Sequence, residues 1–137
     1  MIVLNKLHHS DEQWAALEKE PDFGTIFMIN LFKFREYAEY ADGRETNLTG
    51  IEAYQIYGAE TSKQIADIGG RILHSSVIGG MVVGQVEELW DAVAIVEYPS
   101  IGAFMKMVDS DDWAKHAEHR EAGLAGQLNI FSRKPPE

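Results

Sequence analysis

Residues 69–80 read GGRILHSSVIGG, and the parsing of this stretch decides the fold. Between its glycine pairs lies a short run of apolar, β-branched and small residues, the pattern of a strand bounded by turn signals. Upstream, Thr49 and Glu52 form a capping box, followed by an apolar stripe through Ile51, Tyr54, Tyr57, Thr61, Ile65 and Ile68 at spacings of three and four. Gly69-Gly70 therefore ends a helix, with one glycine in the left-handed position beyond it. Downstream, Gly79-Gly80 releases the strand into a turn or bulge. A looser stretch, MVVGQVEEL, then leads into WDAVAIVEY, a further strand that Pro99 stops.

Working outward, residues 25–34, TIFMINLFKF, are rich in β-branched and aromatic types with almost no charge, which predicts a strand covered on both faces. Past Pro99, Ser100 caps a helix carrying Phe104, Met107 and Val108. The sequence DSDD re-caps it, Trp113, Ala117, Arg120 and Leu124 continue one face, and QLNIFS is the last strand. The order β-α-β-β-α-β is the ferredoxin-like split pattern, an α+β fold. Ahead of it, Ser10 and Gln13 make another capping box before Trp14 and Leu17, giving an additional N-terminal helix closed by Pro21. We therefore expect a helical extension over 1–24, one ferredoxin-like domain over 25–133 and a tail over 134–137. The segment between the first strand and the second helix, about 15 residues with Asp42-Gly43 as its turn, has the length of a lid or a partner-contacting arm.

A lone four-stranded sheet with helices on one face leaves its other face bare. Since the strands carry apolar residues on both faces, a second copy of the sheet is the simplest cover, which predicts a homodimer and allows a higher oligomer. Composition narrows the partners. Acidic residues outnumber basic ones by 22 to 12, a formal charge of -10, which disfavours nucleic acid and anionic membranes. There is no cysteine, hence no disulfide and no thiolate chemistry. The apolar start of the chain is too short for a signal segment, and no stretch approaches spanning length, so a cytoplasmic protein is expected.

The run GGRIL after the helix, WDAVAIVEYPS, and the helix in which Trp113 follows DSDD and precedes Arg120 resemble the domain of unknown function 1330 family, over about residues 25–133. The resemblance implies a dimeric α+β barrel, a superfamily that includes cofactor-free antibiotic-biosynthesis monooxygenases, muconolactone isomerases, EthD-like proteins and chlorite dismutases. Two departures stand out. The first 24 residues lie outside the pattern, and Trp113 occupies the place where the family usually has a tyrosine, replacing a hydroxyl donor with an indole N–H.

Polar residues in strands predicted to be buried are the candidates for chemistry. Asn30, His74 and Glu97 fall in three different strands. If Asn30 and His74 both face the helices, they line an apolar pocket with few converging polar groups, the usual make-up of a small-molecule site. In that reading His74 is a general base and Asn30 orients a ligand oxygen; in the structural reading His74 bonds to Ser76, a backbone carbonyl or a partner. Glu97 either carries a raised pKa in a cleft, pairs with Arg71 or Arg120, or is exposed at the strand's end beside Tyr98-Pro99, and Arg120 could instead grip a ligand carboxylate. Tyr54, Tyr57 and Trp113 offer flat apolar area for an aromatic ligand. His116 and His119, three apart on a helix, lack a third partner for a metal, and nothing singles out a heme ligand or another cofactor. These residues suit a cofactor-independent oxygenase, isomerase or lyase acting on a small aromatic or carboxylated metabolite. They equally suit a non-catalytic ligand-binding or stress-associated dimer.

Overall fold

The computed structural model describes residues 1–136. In chain order the elements are α1 (Asp11–Lys19), β1 (Ile26–Phe34), α2 (Gly50–Asp67), β2 (Arg71–Val77), β3 (Ala92–Tyr98), α3 (Ile101–Val108), α4 (Asp111–Gly123) and β4 (Leu124–Ser132). The strands form one sheet in the order β2-β3-β1-β4 with every neighbouring pair antiparallel. This is the ferredoxin-like arrangement, with the two long helical segments returning over the same face.

Local chemistry places the helix ends. Ser10 and Gln13 close a reciprocal capping box on α1, and Thr49 and Glu52 do the same on α2. Ser100 and Ser110 accept the N–H of Ala103 and Trp113, which splits the last helical stretch into α3 and α4. Past α2, Gly69 takes φ +86°, the left-handed backbone that stops a helix. The buried side of α2 runs Gly50, Ala53, Tyr57, Thr61 and Ile65; Ile51 is half exposed, so the stripe lies one position away from its expected start. Residues 78–91 form a loop without a strand.

The helix-facing side of β1 alternates through Ile26, Met28, Asn30 and Phe32, all buried. Ile26 and Met28 join Val96 and Tyr98 of β3, Ile65 of α2, and Ile101, Phe104 and Met107 of α3 in the main core. The other side of β1, Phe27, Ile29 and Leu31, is only half buried. The expected arm at 35–50 packs on the domain: Ala38 and Tyr40 lie against Ala53 and Ala122 in a second small core. Tyr40 Oη lies 2.6 Å from His119 Nδ1, and Arg44 stacks over the Tyr40 ring while pairing with Glu118.

Helices α2 and α4 meet where neither has a side chain. A Cβ on Gly50 would lie 2.7 Å from Gly123 O, and one on Gly123 would lie 2.9 Å from Tyr54 N. Arg35 N–H donates to Gly123 O at 2.8 Å, and β4 begins at the next residue, Leu124, with no intervening loop. The last strand thus starts three residues before QLNIFS, and Leu124 is a fully buried strand residue, not part of the α4 stripe.

Candidate functional site

Pairing between strands fixes which side chains share a face. Asn30 stands opposite Ala94 on β3 and Asn129 on β4, and Phe32 stands opposite Gln127, so Asn30, Gln127 and Asn129 all point towards the helices. On β2, Ile72 is opposite Val96, but His74, not Leu73, is opposite Ile95. Leu73 is therefore the extra residue of a β-bulge, and it reverses the alternation beyond it. His74 shares its face with Ile95, Ile29 and Ile130, on the side away from the helices. The convergence of His74 with Asn30 does not occur, because one inserted residue turns the imidazole to the opposite side of the sheet. There His74 is exposed, with Nε2 3.0 Å from Ser76 Oγ. Glu97 lies on that same open face and pairs with Arg71 at 2.9 Å.

On the helix side a cavity of about 750 Å³ opens between the sheet, the helices and the N-terminal segment. Its apolar walls include Met28, Tyr54, Tyr57, Phe104, Trp113 and Phe131, and Asn30, Arg120 and Gln127 form its polar end. Tyr54 packs its ring 4.9 Å from Phe32 and 5.3 Å from Tyr57, which fixes the orientation of the aromatic wall. Trp113 Nε1–H donates to Tyr57 Oη at 3.2 Å, so the indole N–H is used within the wall.

The polar end is a relay. Arg120 Nη2 donates to Gln127 Oε1 at 2.6 Å, and Gln127 Nε2 donates to Asn30 Oδ1 at 2.8 Å. Asn30 in turn donates to the carbonyls of Met28 and Ala94 at 3.2 and 3.3 Å. Asn30 is thus fully engaged and holds Gln127, while Gln127 holds the guanidinium. Among the described residues no carboxylate comes within 4.0 Å of Arg120, so its remaining N–H groups are free for a ligand. The hydroxyls of Tyr54 and Tyr98 are held well above the ordinary phenol pKa by burial, so near neutral pH they are hydrogen-bond donors, not phenolates. Strand composition alone gave no reason to single out Gln127; its role appears only when its register opposite Phe32 is known.

Sequence from outside the ferredoxin-like core closes the cavity. Lys6 exchanges two backbone hydrogen bonds with Gln127, at 3.1 and 2.9 Å, adding a short bridge to the free edge of β4. Asn5 packs so closely on Gly126 that a Cβ there would lie 2.7 Å from Asn5 Cβ, and Trp90 Nε1–H donates to Asn5 Oδ1 at 2.6 Å. Helix α1 buries no residue of its own, but Trp14 and Leu17 pack on the main core and line the cavity.

Fold and site together define a ferredoxin-like α+β protein with an aromatic cavity that ends in an uncompensated arginine. The family model described as Domain of unknown function (DUF1330) matches residues 38–133, and the chain belongs to that family. A protein of unknown function from Rhodopseudomonas palustris is similar along its whole length: 28% identity, TM-score 0.86, covering 98% of this chain and 100% of that one. Its methylated form gives 32% identity and TM-score 0.87 over 96% of each chain. The cofactor-independent oxygenase SnoaB from Streptomyces nogalater shares the fold at 10% identity and TM-score 0.51, covering 83% of this chain and 96% of that one. No curated protein matches the sequence. Among the described residues no helix is long and apolar enough to cross a membrane.

Proposed function

We propose that the protein binds a small aromatic carboxylate in the helix-side cavity, ring against Tyr54, Tyr57 and Trp113, carboxylate on Arg120. The observation that carries this reading is the Arg120–Gln127–Asn30 relay, which holds a guanidinium with free N–H groups at the end of an aromatic cavity. Arg120 is half-buried and pairs with no carboxylate, and a bidentate carboxylate is the partner whose planar geometry suits its free edge. The free N–H groups of Arg120 and the neutral hydroxyl of Tyr54 can donate to an anion or an enolate, which favours holding such a group. Binding is therefore the primary reading, and His74, on the opposite face, has no part in it.

Oxygenation without a cofactor is the second reading, favoured by the same donors, since they would stabilise a carbanion that the substrate itself forms. Self-association belongs to the proposal too. Phe27, Ile29, Leu31, Val93, Ile95, Leu128 and Ile130 make one apolar sheet face, with Lys33–Asp91 and Arg71–Glu97 ion pairs at its margins. That pattern of apolar centre and polar rim suits a second copy of the chain. The test of binding is a benzoate titration followed by quenching of tryptophan fluorescence. Saturable binding that Arg120→Gln weakens at least tenfold, with the circular dichroism unchanged, supports the reading. Equal binding by the variant overturns it.

A further inference from the structure

The N-terminal segment supplies the cavity with a second cation. Lys6 and Gln127 are direct partners in the antiparallel bridge, each donating its N–H to the other's carbonyl. Side chains of such a pair lie on the same face, so Lys6 projects on the side of Gln127, the residue that holds Arg120, and both Lys6 and Arg120 line the cavity. Among the described residues no carboxylate lies within 4.0 Å of either, although the chain carries 22 acidic and 12 basic residues. Of the carboxylates on the cavity wall, Glu121 faces His8 at 3.5 Å. Glu20 and Asp109 lie at the other end, where the cavity adjoins a smaller acidic recess lined also by Glu18 and Asp22. Around Gln127 the cavity therefore carries two cations, Lys6 and Arg120, against the single carboxylate of Glu121.

Resting on the reading of this cavity as a ligand site, we infer that the ligand carries two acidic groups, one held by Arg120 and the other by Lys6 at the mouth. The class is an aromatic dicarboxylate, or a monocarboxylate with a second acidic substituent. Lys6 is held through its backbone, and its flexible ammonium can reach a group that the relay leaves at the mouth. The N-terminal segment is on this account part of the binding site, not an appendage.

The experiment titrates full-length protein with benzoate, phthalate and isophthalate at 0.05 M salt, in wild type and in Lys6→Gln and Arg120→Gln variants. Lys6→Gln keeps every backbone bond of the bridge. At least one dicarboxylate is expected to bind ten times more tightly than benzoate in wild type. Lys6→Gln should remove at least fivefold of that advantage and weaken benzoate by less than it weakens that dicarboxylate, whereas Arg120→Gln weakens all three. If benzoate binds but the dicarboxylates gain nothing, or Lys6→Gln leaves their gain intact, the inference fails and the cavity reading stands. If folded wild-type protein binds none of the three, both fall.

Discussion

Gln127→Glu is the sharpest perturbation of the relay, because it keeps the shape of a side chain that is 8% exposed and changes only its charge and one donor. Towards Arg120 the new carboxylate is a better acceptor than the amide it replaces at 2.6 Å. Towards Asn30 Oδ1, now 2.8 Å from an acceptor, it is worse. Asn30 can turn its amide over to donate, but its Oδ1 then faces Met28 O and Ala94 O with no donor, a cost of about 2 to 3 kcal/mol. The charge-assisted bond to Arg120 offsets most of this, so stability should stay within about 1 kcal/mol of wild type. Ligand affinity behaves differently. A benzoate carboxylate on the free edge of Arg120 would sit roughly 6 Å from the new carboxylate. With an effective dielectric of about 20 to 40, their repulsion is about 1.4 to 2.8 kcal/mol, a tenfold to hundredfold loss. Calorimetric titration of benzoate and of neutral benzamide, with thermal melts alongside, measures both effects. The expected result is a benzoate-specific loss at nearly constant melting temperature. Benzoate binding within twofold of wild type, in a folded variant, would refute the assignment of Arg120 as the anion site.

His116 is buried beside Tyr57 with Nε2 lacking a partner, and burial lowers its pKa below the ordinary imidazole value. Its neutral form is favoured only in the folded state, so the stability it contributes is present above about pH 6.5 and is lost as pH falls through the lowered value. Melting curves at pH 7.5 and pH 5 should therefore converge in His116→Phe relative to wild type. Gly123→Ala forces a methyl to 2.9 Å from Tyr54 N at the α2–α4 crossing, where backbone cannot yield. We expect a loss of about 3 kcal/mol, close to 10 °C in melting temperature, read by differential scanning calorimetry. Ile95→Lys puts an ammonium at the centre of the open face, between Ile29 and His74. Sedimentation at micromolar concentration should show the proposed dimer replaced by monomer.

Much of the fold could be read along the chain because its signals are local. The capping residues Ser10, Thr49, Ser100 and Ser110 all cap, and Gly69 takes the left-handed backbone expected after α2. The site was harder to read, because its decisive features are matters of pairing. Nothing in RILHSSV marks Leu73 as an extra residue, since the run alternates acceptably in either register, yet that bulge decides which side His74 takes. Gln127 reads as an ordinary strand residue until its partners are known, and the bridge at Lys6 leaves no periodicity at all. Gly123 falls inside the expected helix face and carries no signal of its close approach to Gly50, and β4 begins at the next residue. Tyr54, Tyr57, Trp113 and Arg120 were accessible as candidates because helical spacing already gathered them on inward faces.

The consequence of the bulge extends beyond one histidine. It turns His74 and Ser76 onto the open face that already carries Arg71 and Glu97, and there the two pairs bond among themselves. On the cavity face the opposite holds: Arg120 and Lys6 keep donors in reserve. Between the two lies β1, the central strand, paired with β3 from Ile26 to Phe32 and with β4 from Phe27 to Phe34. A strand bonded along both edges cannot rotate or slip without breaking two ladders, so it acts as a rigid partition. Its odd-numbered residues serve the face proposed for association and its even-numbered residues the cavity. A side-chain change on one face therefore reaches the other mainly as a screened Coulomb interaction across the sheet and through Leu128 and Ile130 of β4, which also border the cavity. Association and ligand binding should respond independently to the Ile95→Lys and Gln127→Glu variants, and a monomer that still binds benzoate is the state this division of the sheet requires.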